Sequence, residues 1–267
     1  MFNFGKNWQS YIRSLSDQKI AIAQKSLQHF LEFRSLKRKK ILDVGSGSGI
    51  LSLAARKLGA DVVSFDIDTD SVECTKMVKN KYFPSDNHWR IIKGSLLDSH
   101  FVNGLGKFDI VYCWGVAHHT GNLSKALSNL ASPVKKNGYL YLAIYNDQGN
   151  ASIRWRRIKY TYNQLSSPIK QCFLLTIIIG LELLIFIRYL IRFRVRSYFI
   201  RWKEYGTKSG RGMNRWNDYV DWIGGYPFEV AKPEVIFDFY KSLGFELLKI
   251  KTCGGGSGNN EYVFKKK

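Results

Sequence analysis

The sequence predicts an α/β fold: a doubly wound, seven-stranded, mostly parallel sheet with an antiparallel last strand and a helical insertion between strands 5 and 6. Three observations predict it. Apolar strand patterns alternate with helix patterns from residue 41 onward, a glycine-rich turn directly follows the first strand, and a glycine-rich loop separates the last two strands. Strands that alternate with helices in this way form a sheet that is covered on both faces.

The elements follow from the spacing of apolar residues and from Gly and Pro at their ends. The predicted strands are residues 40–44, 61–65, 89–93, 109–113, 139–144, 245–252 and 261–264. The predicted helices are one or two within 11–34, then 49–58, one that starts near Thr69, 123–134, and 233–243 with Pro233 in its first turn. Asn137 and Gly138 predict a turn before the fifth strand.

Composition limits the classes of protein that the chain can belong to. Its 267 residues are 45% hydrophobic, which is enough for a full core and excludes a disordered chain. The four cysteines are scattered without a CxxC pair, which argues against a zinc site and for a reducing compartment. Residues 1–7 do not predict a secretory signal. We therefore expect a cytoplasmic protein with no metal site.

The turn after strand 1 predicts a nucleotide site. The run Asp-Val-Gly-Ser-Gly-Ser-Gly at 43–49 places Gly45, Gly47 and Gly49 at alternate positions, with Ser46 between the first two. Glycine permits positive φ and close approach of a ligand to the backbone. The helix that follows directs its free N–H groups at the same ligand. An ordinary tight turn is the alternative reading.

Two later strand ends supply further polar groups. Asp66 ends strand 2, where a carboxylate can accept hydrogen bonds from both ribose hydroxyls of an adenosine. Ile67 would pack on the adenine, whereas Asp68 would cap the next helix. After strand 3, residues 94–98 carry Ser95 and Asp98. This segment resembles the adenine-binding segment of the class I S-adenosylmethionine methyltransferases, which implies that Ser95 or Asp98 meets the adenine amino group.

The segment after strand 4 carries Trp114 and the only adjacent pair of histidines, His118 and His119. Ligands of doubly wound sheets bind at the carboxyl ends of the strands where the strand order reverses, and strands 1 and 4 flank that point. The glycine turn and the histidine pair should therefore face each other. The alternative is that one histidine caps the following helix while the other packs in the core.

These features together resemble the class I S-adenosylmethionine (SAM) methyltransferases, in particular their quinol-methylase-like branch. The resemblance rests on residues 43–49, 65–66, 108–111 and the histidine pair, and it covers about 38–146 and 232–266. Residues 4–8, 143–147 and 224–230 resemble a bacterial subgroup of that branch. The resemblance implies SAM as cofactor, bound by Asp43, Gly45, Ser46, Gly47, Gly49, Asp66, Ile67, Ser95, Leu96 and Trp114.

The break in the alternation of strands and helices at 146–230 predicts three parts of the chain. They are an N-terminal helical segment (1–37), a SAM-binding domain (38–147 and 231–267) and a helical insertion (148–230).

Methyl transfer from SAM mainly requires alignment of an acceptor with an already activated methyl group, and a hydroxyl acceptor must also lose its proton. We expect His119 to be the base and His118 to orient it or to contact the acceptor. Enzymes that methylate base amines often carry Asn/Asp-Pro-Pro-aromatic after strand 4. Cys-Trp-Gly-Val stands there instead, at 113–116, which favours oxygen.

Four further residues are second-tier candidates for acceptor contact. Tyr145 and Asn146 end strand 5, and Asn260 and Glu261 follow the glycine-rich loop between strands 6 and 7. Both places should open on the cofactor face, because strands 5 and 6 run parallel to strand 1. The alternative for the loop is a flexible hairpin without contact to a substrate.

The insertion is both apolar and basic. A 16-residue apolar run at 172–187 contains Glu182. Residues 151–216 hold fourteen Lys or Arg but only two Glu, so +12 of the chain's net charge of +20 lies in this segment. The run is short for a single membrane crossing, which would also place parts of one sheet on opposite sides of the bilayer. Three roles of the insertion remain open. It is a lid over the site, a lid that also docks an anionic membrane through 169–203, or an RNA contact.

Three functions follow from these features. The first is O-methylation of a small or lipid-linked acceptor, such as a prenylated quinol or phenol, or a glycan sugar. The second is RNA methylation, with the basic insertion tracking phosphates. The third is a non-catalytic SAM-binding module at a membrane. An NAD oxidoreductase is disfavoured because the third glycine, Gly49, comes one residue too early for the dinucleotide fingerprint.

Overall fold

A computed structural model describes residues 4–13, 15–205 and 215–267. Residues 1–3 and 14 of the predicted N-terminal segment and residues 206–214 of the predicted insertion lie outside the described residues. The strands are β1 (Lys40–Val44), β2 (Asp61–Asp66), β3 (Trp89–Lys93), β4 (Phe108–Trp114), β5 (Val134–Tyr145), β6 (Phe245–Lys251) and β7 (Asn259–Lys266).

The helices surround this sheet and form the segment between β5 and β6. They are α1 (Phe4–Arg13), α2 (Asp17–Leu31), α3 (Ile50–Lys57), α4 (Thr69–Tyr82), α5 (Ser99–Gly104), α6 (Leu123–Ala131), α7 (Asn150–Gln164), α8 (Ser167–Ile191), α9 (Val195–Lys203), α10 (Arg215–Gly224) and α11 (Pro233–Ser242), with a 3-10 turn at Ala117–His119.

The seven strands form one sheet in the order β3-β2-β1-β4-β5-β7-β6. All neighbouring pairs are parallel except those that β7 makes with β5 and β6. The predicted fold class is therefore confirmed, including the antiparallel last strand. The strand order reverses between β1 and β4, so the loops after these two strands meet at one edge of the sheet.

One predicted turn is wrong. Asn137 has a left-handed backbone (φ 60°), but it lies inside β5 rather than before it. The pairing of β4 with β5 shifts register between Phe108 and Ile110, so Asn137 and Gly138 form a bulge within a longer strand. Sequence signals for a turn and for this kind of bulge are the same residues, because both need a positive φ.

Alternation along each strand divides the core into two layers. In β1, Leu42 packs with Phe65 and Tyr240 on one face of the sheet, whereas Ile41 packs with Leu27 of α2 on the other face. Helices α5, α6 and α11 cover the first face, and α2 and α3 cover the second. Both faces are therefore buried, as the predicted parallel sheet requires.

The described part of the N-terminal segment contains two helices, and the first of them begins earlier than the predicted range of 11–34. Ser16 breaks the pattern and caps α2, with its hydroxyl accepting a bond from the Lys19 N–H. Helix α1 lies against α4, where the Gly5 N–H donates to Asp68 over 2.7 Å. A Cβ on Gly5 would lie 2.3 Å from Cβ of Asp70, so only glycine permits this approach. Helix α1 is thereby held over the carboxyl edge of the sheet.

Helix α7 holds the end of α10. The Lys159 ammonium donates to the carbonyl of Trp222, and the Asn163 amide donates to the carbonyl of Gly224 over 2.9 Å. A cation at a helix C-terminus is favourable because the helix dipole is negative there. Lys159 is fully buried, and this burial lowers its pKa to about 7 against an opposing effect of Asp221.

Glu182 is the centre of the segment between β5 and α11. It lies buried on α8, where its carboxylate accepts bonds from Tyr198 (2.9 Å) and Trp202 (3.2 Å) of α9, and from Arg215 (2.7 Å) and Tyr219 of α10. The charge inside the apolar run therefore joins three helices. Helix α8 has 25 residues, which is longer than the predicted run of 16. The division of the chain into the three predicted parts stays a prediction.

Glu182→Ala should destabilise the protein by about 3–5 kcal/mol, because it leaves the Arg215 guanidinium buried without its carboxylate. Urea unfolding followed by circular dichroism measures this change. The control is Glu73→Ala on α4, whose exposed pair with Lys76 should contribute less than about 0.5 kcal/mol. Equal effects of the two substitutions would contradict the role assigned to Glu182.

Candidate active site

A cavity of about 630 Å³ opens at the carboxyl ends of the central strands. This volume is within the range of small-molecule sites. Of the residues predicted from sequence, twelve line it: Asp43, Gly45, Ser46, Gly47, Asp66, Ile67, Ser95, Leu96, Trp114, His119, Tyr145 and Glu261. Four do not line it: Gly49, His118, Asn146 and Asn260. The cavity thus brings together most of the predicted cofactor residues and one of the two histidines.

The glycine loop is fixed to β2 and to the loop after β4. The N–H groups of Gly45 and Ser46 donate to the Phe65 carbonyl over 2.8 and 3.1 Å. Gly45 has φ 71°, and a Cβ there would lie 2.4 Å from Cγ2 of Val116. Gly49 has φ 74° and lies against Thr75 of α4, where a Cβ would be 2.9 Å from its Cα. Gly49 therefore permits helix packing below the cavity.

Asp66 lies between the glycine loop and the next helix. Its carboxylate accepts the Gly47 N–H and the Asp68 N–H, both over 3.0 Å. Burial raises its pKa, against the effect of these two hydrogen bonds. Asp68 caps α4 by accepting the Asp70 N–H, as expected. Both aspartates line the cavity, but Asp68 is occupied by the N–H groups of Gly5 and Asp70, whereas Asp66 keeps part of its hydrogen-bonding capacity for a ligand.

Asp43 ends a chain of buried hydrogen bonds beneath the loop. The Trp89 indole donates to Ser64 over 2.8 Å, the Ser64 and Ser52 hydroxyls are 2.6 Å apart, and Ser52 donates to Asp43 over 2.5 Å. Because the single hydroxyl proton of Ser52 goes to Asp43, Ser64 must donate to Ser52, and the protons run in one direction, from Trp89 towards Asp43. Burial raises the pKa of Asp43 to about 7, with a further contribution from Asp66.

The far end of the cavity suits a flat apolar ring. Ile67 lines it and is largely exposed, beside Leu96 and Ser95. The Ser95 hydroxyl accepts the Leu97 N–H over 3.1 Å. Asp98, the alternative to Ser95, does not line the cavity because it caps α5 by accepting the Phe101 N–H.

His119 faces the cavity in a defined tautomer. Its Nδ1 is 2.6 Å from the carbonyl oxygen of Pro227, and that oxygen can only accept a hydrogen bond. A neutral His119 therefore carries its proton on Nδ1, and Nε2 keeps a lone pair. Gly225 permits this arrangement, because a Cβ there would lie 2.8 Å from Cε1 of His119.

His118 is fully buried behind His119. Its Nδ1 accepts the Tyr145 N–H over 3.4 Å, and its ring lies against the Tyr145 ring at 3.9 Å between centroids. Its carbonyl accepts the Glu229 N–H over 2.9 Å. His118 thus holds Tyr145 and residues 224–230 in place, and Tyr145 lines the cavity.

The end of β6 and the start of β7 contribute Lys251, Asn259 and Glu261 to the cavity wall. Glu261 accepts bonds from the Trp114 indole (3.1 Å) and the Tyr141 hydroxyl (2.5 Å), and Lys251 pairs with its other oxygen. It therefore orients Trp114. Asn260 is buried and bonds Asn146 over 3.0 Å, so these two amides join β7 to the end of β5. The acceptor contacts predicted for these residues stay predictions.

Sequence reasoning missed the residues that cover the cavity. Phe4, Trp8 and Tyr11 of α1 line it, and Lys19 of α2 and Asp218 and Asp221 of α10 line it too. The Phe4 and His119 rings are 5.1 Å apart, and the Trp8 indole lies over Gly47. The aromatic residues at 4, 8 and 11 are spaced for one face of a helix, which could have identified them. No group of three or more His, Cys, Asp or Glu side chains is placed to hold a metal ion within the described ranges.

Comparison with known proteins identifies the family. Residues 18–173, more than half of the chain, match the methyltransferase domain family. The chain belongs to the methyltransferase domain family. The class I methyltransferase resemblance is thereby confirmed, and the protein is a SAM-dependent transferase.

Two relatives are similar to the central part of this methyltransferase. Ubiquinone biosynthesis O-methyltransferase of Glaesserella parasuis is 28% identical over 113 residues, which are 42% of this chain and 48% of that protein. Ribosomal protein L11 methyltransferase of Prochlorococcus marinus is 36% identical over 118 residues, which are 43% of this chain and 38% of that protein. The chain therefore spans less than half the length of these relatives.

A solved structure extends the similarity in fold to nearly the whole chain. Magnesium protoporphyrin IX methyltransferase from Synechocystis, with bound S-adenosylhomocysteine (SAH), aligns with 94% of this chain and 84% of that chain. The TM-score is 0.54 at 15% identity, which shows a shared fold. SAM is the cofactor, and the cavity fits it: a glycine cradle that a Cβ would fill, and the carboxylate of Asp66 beside it.

Asp66→Asn should weaken SAM binding at least about tenfold, because one charge-assisted hydrogen bond contributes about 1.5–3 kcal/mol. Isothermal titration calorimetry measures the dissociation constant. The control is Asp98→Asn, which changes the same chemistry at the same edge of the sheet but outside the cavity. A dissociation constant for Asp66→Asn equal to that of the control would remove Asp66 from the cofactor site.

The affinity for SAM should rise with pH between about 5 and 7 and then level off, by at most about tenfold per unit. The raised pKa of Asp43 means that the free protein keeps this proton up to about pH 7, whereas the cationic cofactor favours the ionised carboxylate. The unfolded chain loses the same proton near pH 4. Asp43 therefore contributes stability at low pH that is lost as the pH rises towards 7.

Asp43→Asn provides the control for this pH dependence. Titrations with SAM across the same pH range should show a flatter profile for the variant than for the wild type. Identical profiles would assign the pH dependence to another group.

Proposed function

We propose that the protein transfers the methyl group of SAM to a hydroxyl of a small or lipid-linked acceptor, with His119 as the general base. The observation that carries this proposal is the contact between Nδ1 of His119 and the Pro227 carbonyl. It puts the lone pair of a neutral imidazole on Nε2, and the His119 side chain lines the same cavity as the glycine loop and Asp66. A base that keeps one fixed tautomer is ready to accept a proton at a single atom.

The reaction needs little more from the protein than alignment and a proton acceptor. SAM, when bound, supplies a methyl group that is already activated by its sulfonium. His119 Nε2 takes the hydroxyl proton as the acceptor oxygen bonds to the methyl carbon, and the electron pair of the broken bond stays on sulfur. A positioned base of this kind contributes about 10²–10⁴-fold to the rate, and alignment contributes about 7–11 kcal/mol.

The wall beside His119 supports an apolar, ring-containing acceptor. Phe4, Trp8, Trp114 and Tyr145 line the cavity together with His119. Aromatic side chains bind flat or prenylated molecules through apolar contact, while a single base selects a hydroxyl. A prenylated quinol or phenol satisfies both conditions, and a glycan sugar satisfies the second. The ubiquinone biosynthesis O-methyltransferase similarity is consistent with this class.

The cover over the cavity supports exclusion of water from the reaction. Helix α1 lies across the glycine loop through Trp8, and α10 closes the other side with Asp218 and Asp221. The Tyr205 hydroxyl donates to Asp218 over 2.8 Å, which joins this side to the end of α9. Elements of this kind protect a reactive methyl donor from water. We therefore propose α10 as the part of the insertion that acts as the predicted lid.

His119→Ala should lower kcat by about 10²–10⁴-fold and leave SAM affinity unchanged, because the base acts on the acceptor and not on the cofactor. Methyl-labelled SAM is incubated with separate lipid, glycan and RNA extracts, and the transferred label is counted. The control is His88→Ala, since His88 is exposed and pairs with Asp61 outside the cavity. Full activity of His119→Ala would show that His119 is not the base. If neither the wild type nor any variant labels an extract, the result would favour a non-catalytic SAM-binding module.

RNA methylation is the alternative, and two basic residues of the insertion weigh against it. Lys159 is buried, Arg215 is only 10% exposed, and both bind the protein itself, so the charge available to phosphates is smaller than the sequence suggests. RNA tracking by the remaining basic residues predicts affinity that falls steeply with salt, by orders of magnitude for several phosphate contacts. Filter binding to total RNA at low and high salt measures it. Weak binding that does not change with salt would exclude this alternative.

A further inference from the structure

The outer face of α8 and α9 is apolar and exposed to solvent. Residues 175, 179, 183 and 187 repeat every four positions along α8, and this spacing places them on one stripe. Ile179 is 65% exposed and Phe193, after α8, is 96% exposed. We use the term outer face for the exposed large apolar side chains of residues 167–205. They are Ile169, Leu175, Ile179, Leu183, Leu184, Ile187, Leu190, Ile191, Phe193, Phe199, Ile200 and Trp202.

The opposite side of α8 is fixed to the protein. Leu174 and Glu182 are the buried residues of the helix, and the partners of Glu182 come from α9 and α10. The helix is therefore already docked through one side and still exposes the other. Apolar patches of this extent are rare on proteins that have no partner for them.

The charges beside the outer face are almost all positive. Residues 167–205 contain seven Lys or Arg and two Glu, and one of these two, Glu182, is buried in ion pairs. Arg188, Arg192, Arg194 and Arg196 lie at the end of α8 and the start of α9, and all four are exposed. A surface with an apolar centre and cationic neighbours is complementary to the acyl boundary and the anionic headgroups of a lipid bilayer.

Two other occupants fit less well. A second copy of this chain would bring the same arginines of two molecules with net charge +20 together, which is repulsive. Nucleic acid would neutralise the arginines but leave the twelve apolar side chains in water. An anionic bilayer satisfies both properties of the surface.

We propose that the outer face of α8 and α9 docks the protein on an anionic membrane surface, with α8 lying along the interface. Helix α8 is long and apolar enough to cross a bilayer, with a mean hydropathy of 2.3 over an 18-residue window. Crossing would take Glu182 and its partners on α9 and α10 into the hydrocarbon, and α10 lines the cavity. Lying in the interface keeps this ion pair in the protein and buries only the exposed stripe.

The docked orientation has a consequence for the cavity. Glu182 joins α8 to Arg215 at the start of α10, and Asp218 and Asp221 of α10 line the cavity. Tyr205, just after α9, lines it too. The helices that contact lipid are therefore joined directly to α10, which lines the cavity. This consequence rests on the proposed function, whereas membrane docking itself does not.

The test is cosedimentation of the purified full chain with sucrose-loaded vesicles, without any activity measurement. Vesicles of phosphatidylcholine alone are compared with vesicles of phosphatidylcholine and phosphatidylglycerol. The wild type should bind the anionic vesicles at least about tenfold more strongly, and high salt should reduce this difference. Equal partition into both kinds of vesicle, or no partition, would overturn the proposal.

Two variants test the two properties separately. The stripe variant combines Ile179→Asp with Leu183→Asp and puts negative charge on the apolar stripe. The arginine variant combines Arg192→Glu, Arg194→Glu and Arg196→Glu and reverses the charge beside it. Each variant should partition into anionic vesicles at least about tenfold more weakly than the wild type. The control is Met77→Asp with Val235→Asp, which changes two equally exposed apolar residues of α4 and α11. SAM binding by calorimetry verifies that each variant is folded.

The outcomes distinguish the occupants and the two proposals. Retained vesicle binding by the stripe variant, or equal loss by the control, would overturn docking through this face. A wild-type dimer in sedimentation equilibrium that the stripe variant dissociates, without vesicle binding, would assign the face to a second copy and overturn the proposal. Because no step measures methyl transfer, failure of the proposed function leaves these outcomes unchanged.

Discussion

The contact between Gly45 and Val116 determines the geometry of the site. Gly45 begins the cofactor loop and Val116 begins the segment that carries His119, and the absence of a Cβ on Gly45 lets the two loops touch. Both loops end neighbouring parallel strands, so the sheet brings them to one edge, and this contact sets their separation. Base and cofactor loop share a cavity because of it, and a side chain at position 45 would push them apart.

Residues far along the chain complete what this contact begins. The segment at 224–230 makes three hydrogen bonds to the loop after β4 and to α6. The Pro227 carbonyl accepts from Nδ1 of His119, the Glu229 N–H donates to the His118 carbonyl, and the Glu229 carboxylate accepts from the Leu123 N–H. The cavity thus depends on a segment that follows the helical insertion. Methyl transfer requires an oriented base more than a strong one, so this distant support is consistent with the chemistry.

The sequence predicted the fold and most of the cavity because these depend on local patterns. Apolar spacing located all seven strands, and the strand ends located Asp43, Asp66 and His119. Helix α1 was not assigned to the cavity, and a lid was predicted for the insertion without naming any residue of α10, because both positions depend on tertiary contacts such as Gly5 with Asp68 and Lys159 with Trp222. The burial of Glu182 was not predicted either, since a charge in an apolar run has the same sequence signature whether it is paired or not.

The most direct test of the account is a crystal structure of the chain with SAH. The account predicts the ribose hydroxyls within hydrogen-bonding distance of the Asp66 carboxylate and the SAH sulfur in the same cavity as Nε2 of His119, with the Nδ1 contact to Pro227 kept. SAH bound elsewhere on the protein, or bound in this cavity with the His119 ring turned away into the core, would contradict it.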